Sequence, residues 1–257
     1  MEFDGKTAII TGSSGIALAT GLSLARAGAQ VHLCGNDDQN NSVARTQTDG
    51  LPITVHKVDV ADESQVQALV DTVVGQKGGV DILVNAAGIQ TYGDLETTDI
   101  AHWDRVMAIN LRSCFLTSHF VYPHMKRRGG GAIVNVASVQ GHANQYNVLA
   151  YATSKGAQHA LTRAMAVDCA KHNIRVNSIS PGSIRTPLLE YGARQLATDG
   201  QSVEDVIEQF GAGHPIGRVG TAEEVAALIT FLVSEKGGFC AGADFRIDGA
   251  LTAHIGV

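Results

Sequence analysis

The sequence predicts an α/β chain built on one doubly wound parallel sheet of about seven strands, with helices on both faces. Three observations carry that prediction. Short β-branched runs alternate with longer amphipathic stretches from one end of the chain to the other. The strand runs are apolar at nearly every position, the pattern of strands buried on both faces. The connections between them are short.

The elements follow in order. Thr7-Ala8-Ile9-Ile10-Thr11 reads as a strand, a helical pattern continues through Arg26, and Gln30 to Cys34 closes a βαβ unit. Ile53-Thr54-Val55-His56, Ile82-Leu83-Val84, Ala132-Ile133-Val134-Asn135-Val136, Ile174-Arg175-Val176 and Phe245-Arg246-Ile247 continue the alternation. Asp62, with Gln65 three residues on, marks a helix start before Val66, Leu69, Val70 and Val73, and Gly78-Gly79 ends that pattern. Thr221 and Glu224 mark another start, before Val225, Leu228, Ile229 and Leu232. From about 186 to 215 the chain turns polar, with Thr186-Pro187 as a helix start, and reads as a substrate lid inserted into a single domain spanning 1–257.

With 44% hydrophobic and 17% charged residues in 257, disorder and collagen-like repeats are excluded. Lys and Arg minus Asp and Glu is 19 − 25 = −6, and beyond Lys126, Arg127 and Arg128 the cations form no stripe, so nucleic acid is not expected as a partner. Neither a signal peptide nor an apolar span is found, so a soluble, cytoplasmic chain without membrane contact is expected. Cys34, Cys114, Cys169 and Cys240 are far apart in apolar segments, as suits reduced, buried thiols. No H-E-x-x-H is present, and His119 and His124 fall off a common helix face, so no metal site is expected.

Chemistry gathers at two motifs. Thr11-Gly12-Ser13-Ser14-Gly15-Ile16-Ala17 lies between the first strand and its helix, where free N–H groups meet an anion, and reads as a pyrophosphate cradle. Tyr151 and Lys155, four residues apart in a helical pattern over 150–171, share one face, and Ser138 ends the strand before them.

With these motifs in that order, the chain resembles the short-chain dehydrogenase/reductase family over essentially its whole length, which implies the Rossmann-type form of the sheet. The resemblance implies catalytic roles for Asn110, Ser138, Tyr151 and Lys155. It implies cofactor contacts at Gly12, Ser13, Ser14, Gly15 and Ile16, at Asn36, Asp37, Asp59 and Val60, and at the turn Asn85, Ala86, Ala87 and Gly88. Tyr151, Lys155, Pro181, Gly182, Ile184 and Thr186 complete that set. It also implies assembly as a homodimer or homotetramer. The glycine loop is one residue shorter than the family's, with Ala17 at the third glycine position, which removes one N–H and tightens the turn.

What the resemblance implies is hydride chemistry between a secondary alcohol, or a cyclic sugar hydroxyl, and a carbonyl, with Tyr151 carrying the proton. A Lys155 ammonium about 4 Å away would favour the phenolate by about 4 kcal/mol at an effective dielectric of about 20, about three pK units. Ser138 would hold the substrate oxygen, and Asn110 a water leading from Lys155 to solvent. Asp37 and Asp38 follow the second strand and no cation stands in the glycine loop, which favours NAD over NADP. The substrate is expected to meet Gln90, Ser138, Gln140, Gln145, Tyr151 and Tyr191, and the polar run from Gln140 through His142, Asn144 and Tyr146 suits a small sugar or polyol. Two other readings stay open. One is a 3-oxoacyl thioester reductase using NADPH, with Arg127 and Arg128 as a docking patch for an acidic carrier protein. The other is a dinucleotide-binding protein without turnover.

Overall fold

In the computed structural model, which describes residues 1–255, seven parallel strands form one sheet in the order β3-β2-β1-β4-β5-β6-β7. They are β1 (Thr7–Thr11), β2 (Gln30–Gly35), β3 (Ile53–Lys57), β4 (Ile82–Asn85), β5 (Gly131–Val136), β6 (Ile174–Pro181) and β7 (Asp244–Ile247). Successive side chains point to opposite faces. In β1, Ala8 and Ile10 enter one core and Ile9 the other; in β4, Ile82 and Val84 oppose Leu83; in β5, Ala132, Val134 and Val136 oppose Ile133. With both faces buried, nearly every strand position must be apolar, which is why the runs were legible.

One face is covered by α1 (Gly15–Arg26), α2 (Asp38–Gln47) and α9 (Ala222–Val233), the other by α3 (Glu63–Lys77), α5 (Ser113–Arg128) and α6 (Leu149–Ala170). Their starts are set locally. Asp62 accepts from the N–H groups of Ser64 and Gln65, and Thr221 with Glu224 forms a capping box on α9. Between α4 (Ile100–Val106) and α5 the backbone widens into a π-helical turn, Met107–Arg112.

The sheet differs from the predicted one chiefly at β6, which runs to Pro181, well past the expected Val176. Asn177, Ser178 and Ser180 interrupt the apolar pattern, but each is paired: Asn177 Nδ2 donates to the Cys240 carbonyl, and the two serines donate to Asp244. Cys34, Cys114 and Cys169 are buried thiols, whereas Cys240 is only half-buried. The expected lid is two short helices, α7 (Pro187–Leu196) and α8 (Val203–Ala212), packed on each other through Ala193, Val206 and Ile207. Among the described residues no helix is long and apolar enough to cross a membrane.

Candidate active site

The strand order reverses between β1 and β4, and a crevice opens at that switch point beyond the carboxyl ends of the strands. It leads into a cleft of about 430 Å³. The glycine loop forms one wall. Gly12 has φ +101° and Gly15 φ +51°, and a Cβ on Gly12 would stand 2.9 Å from that of Ala17. The Gly12 N–H donates to the Cys34 carbonyl at 2.6 Å. Ser13 is buried against Gly35, so its side chain packs under the end of β2, while Ile16 faces the cleft. The loop is thus closed by backbone contact to β2, and the amides of Gly15, Ile16 and Ala17 begin α1 without intrahelical acceptors.

At the far end of the crevice, Asn36 Nδ2 donates to Asp59 Oδ2 at 3.3 Å, so two residues expected on the adenine side stand together. Asp37 caps α2, accepting from the Asn40 N–H at 2.7 Å, and Asp38 pairs with Lys57 at 2.6 Å. Val60 points into the core. The Asn85 side chain is consumed inside the sheet: it donates to Asn135 at 2.8 Å and accepts from Thr117 at 2.6 Å, leaving only its main chain at the crevice. Ala86 and Gly88 line the cleft, and the N–H groups of Ala86 and Ala87 both donate to Thr11 Oγ1. Pro181, Gly182, Ile184 and Thr186 form the opposite wall; Thr186 caps α7 and packs its methyl against Gly15.

At the centre are Ser138, Tyr151 and Lys155, all buried and all lining the cleft. Burial pushes the Tyr151 phenol up to about 12, against a smaller opposing effect of the Ser138 hydroxyl, and pushes the Lys155 ammonium down to about 8. The expected lowering of the phenol by Lys155 is not found in this arrangement. Lys155 Nζ donates to the Val136 carbonyl at 2.7 Å and to Gln158 Oε1 at 3.3 Å, and lies 5.5 Å from the Tyr151 ring centre.

Asn110 sits in the π-helical turn, fully buried. Its side chain accepts from the Ile89 N–H and donates to the Ile89 carbonyl, each at 2.9 Å, and donates to Ser154 at 3.0 Å. Its own carbonyl accepts from Gln158 Nε2 at 2.6 Å. Lys155 and Asn110 are therefore joined through the Gln158 amide, a residue that sequence reasoning did not single out because its other partner, Asn110, lies 48 residues away.

Of the expected substrate contacts, Gln90, Gln140 and Gln145 line the cleft, together with Tyr92 and Asn144. Gln140 Nε2 donates to Gln145 at 3.0 Å, while its Oε1 is buried without a partner. Tyr191 does not line the cleft and is 39% exposed; Leu188, Leu189 and Gly192 of α7 and Phe210 of α8 close that side. His142 and Tyr146 also lie outside it, Tyr146 at 93% exposure. Leu251, Thr252 and His254, near the carboxyl end of the chain, complete the mouth with no signal in the sequence. Arg127 and Arg128 end α5 beside the amino end of β5, opposite the cleft. Arg128 pairs with Asp81 at 3.0 Å, so the supposed docking patch is not at the cleft mouth.

A family model described as enoyl-(acyl carrier protein) reductase matches residues 10–252. The 2-(R)-hydroxypropyl-CoM dehydrogenase of Xanthobacter autotrophicus is 38% identical over 256 residues, covering 96% of this chain and 99% of its own. The D-beta-hydroxybutyrate dehydrogenase of Rhizobium meliloti is 37% identical over 258 residues, with 97% and 99% covered. The ligand-free structure of an aldohexose dehydrogenase from Thermoplasma acidophilum superposes with a TM-score of 0.91 at 32% identity, covering 99% of this chain and 97% of that one.

Proposed function

The chain belongs to the short-chain dehydrogenase/reductase family, and on that premise we propose that it interconverts a small polyhydroxylated secondary alcohol and its carbonyl form, using NAD in preference to NADP. The observation that carries the reading is the buried set Ser138, Tyr151 and Lys155 at the floor of a cleft that continues into a glycine-walled crevice. Matches to several dehydrogenases of secondary alcohols support the reaction class.

The crevice suits a nicotinamide dinucleotide: glycines stand where a Cβ would clash, and the free amides of α1 face the position a pyrophosphate needs. When bound, that cofactor supplies the hydride acceptor and donor. Ser138 holds the substrate oxygen, and Tyr151 gives or takes its proton. With its phenol pushed up to about 12 by burial, Tyr151 carries its proton at neutral pH, the form that protonates a carbonyl oxygen. Alcohol oxidation requires the Lys155 ammonium to leave the Val136 carbonyl and face the phenol, with Gln158 holding its other side. Asn36, Asp37 and Asp59 at the adenine end support NAD, since a 2′-phosphate would meet carboxylates there.

The polar lining supports the substrate class. Gln140 Oε1, buried and unpartnered, calls for a hydroxyl donor, and the segment 186–215 serves as the lid. For assembly, exposed Phe115 on α5 and Val167 on α6 support a homo-oligomer.

The test is a panel of sugars, polyols, cyclic alcohols and hydroxy acids scored by cofactor reduction, with each of the four nicotinamide cofactors titrated in a thermal melt. A polyol or sugar is expected to turn over with NAD. Gln140→Leu is expected to raise its KM about tenfold or more, the effect of one lost hydroxyl contact of about 1.4 kcal/mol or more. A preference for simple alcohols, or a melt shifted by NADP(H) alone, contradicts the reading.

A further inference from the structure

The turn after Ser138 ends on His142, α6 carries His159 one turn beyond Lys155, and β7 begins with Asp244. None of the three lines the cleft. Their donor atoms lie within 4.8 Å of one another. His142 Nε2 is 2.8 Å from Asp244 Oδ2, and His159 Nε2 is 3.4 Å from Asp244 Oδ1. The two imidazole rings lie 4.3 Å apart, inclined by 23°. We propose that His142, His159 and Asp244 form a binding site for one divalent transition-metal ion of the zinc type.

The donor set argues for that class. Two imidazoles and one carboxylate suit Zn²⁺, Co²⁺ or Ni²⁺, whereas Mg²⁺ and Ca²⁺ require oxygen ligands in greater number. The spacing argues for it as well. Ligand atoms held about 2.0–2.1 Å from a tetrahedral ion stand about 3.3–3.5 Å apart. The carboxylate bridges the two imidazoles, with His159 Nε2 3.4 Å from Oδ1 and 2.9 Å from the Ser180 hydroxyl, so one carboxylate oxygen and both ring nitrogens, all within 4.8 Å, come into ligand spacing once His159 releases that hydroxyl. The His142–Asp244 separation must open by about half an ångström, which the 38% exposed His142 side chain allows.

The carboxylate is also held as a ligand needs to be. Ser178 donates to Asp244 Oδ1 at 2.6 Å and Ser180 at 3.0 Å, which fixes the carboxylate plane and leaves Oδ2 toward His142. His159 is buried beneath, and the exposed edge at His142 leaves the remaining coordination position open to water. An ion there would brace the turn that carries Ser138 against the helix that carries Tyr151 and Lys155. The site stands apart from the alcohol chemistry, and its test does not depend on turnover.

The test titrates Co²⁺ into the tag-free full chain and follows visible absorption and melting. One Co²⁺ per chain is expected, displaced by Zn²⁺, with a midpoint rise of about 5–10 °C at about 100 times Kd. His142→Gln, altered at the surface, is expected to melt within about 2 °C of the parent without metal and to bind Co²⁺ at least about tenfold more weakly. His142→Cys is expected to keep the ion and add a thiolate charge-transfer band, so that loss in the glutamine variant reads as loss of a ligand. Absence of saturable Co²⁺ binding overturns the proposal. So does binding undiminished in His142→Gln, which leaves the cluster a hydrogen-bonded brace only.

Discussion

Lys155 and Tyr151 share a buried face of α6, and burial moves their titrations apart. Lysine titrates near 10.4 in the unfolded chain and at about 8 in the native one, so between those values the unfolded state binds more protons and stability rises with pH. Below about 8 the penalty for the buried ammonium is complete. Tyr151 has the opposite sign: native at about 12 against about 10 unfolded, it lowers stability as pH climbs between those values. The melting difference between the parent and Lys155→Met is therefore expected to move in the parent's favour as pH rises from about 8 to about 10, since only the parent sheds a buried charge there. A gap that stays constant across that range contradicts the burial account. Gln158 adds a second handle, because its Oε1 accepts from Lys155. Gln158→Leu is expected to move the limb of the kcat profile that reports Lys155 down by about one unit, and Gln158→Glu to move it up. A limb fixed in both variants removes Gln158 from the site. The Tyr151 and Lys155 pair was legible because its spacing is local to one helix. The inward-facing Asn85 and the exposed Tyr191 were not, since each is decided by how distant elements pack, and Gln158, although one turn from Lys155, gains meaning only from its bond to Asn110 in another element.

At the scale of elements, the crevice depends on backbone that only glycine permits. Gly12 combines φ +101° with a would-be Cβ contact of 2.9 Å to Ala17. Gly12→Ala is expected to lower the melting midpoint by about 2–8 °C, from a left-handed conformation that costs about 1–2 kcal/mol, and to reduce the further shift given by NAD. An alanine variant with unchanged melting and cofactor response contradicts the role of this turn. The shortened loop still closes, because the Gly12 amide bonds to β2 and Ser13 packs beneath Gly35. The strands of the sheet's middle and the capped starts of α3 and α9 were readable from periodicity and side-chain caps. The polar end of β6 was not, because the partners of Ser178 and Ser180 lie on β7. Nor was the π-helical turn that places Asn110, which has no compositional mark.

For the whole molecule, strand alternation and the order of motifs were enough to read the doubly wound sheet and the cradle after the first strand, whereas the β1/β4 switch point is set by the observed strand order. The closing side of the cleft was less legible. Leu188, Leu189 and Phe210 come from a lid whose packing is tertiary, and Leu251, Thr252 and His254 arrive from beyond β7. The grouping of His142, His159 and Asp244 needed the fold for the same reason. The account as a whole rests on Tyr151 moving the substrate proton at the floor of this cleft. The measurement that tests it most directly compares NAD reduction by the parent and by Tyr151→Phe on the best alcohol of the panel, beside the NAD-dependent melting shift of each. The account predicts a rate lower by about 10²–10⁴-fold or more in the variant, with its NAD-dependent melting shift retained. A variant that binds NAD and keeps a rate near that of the parent would contradict it.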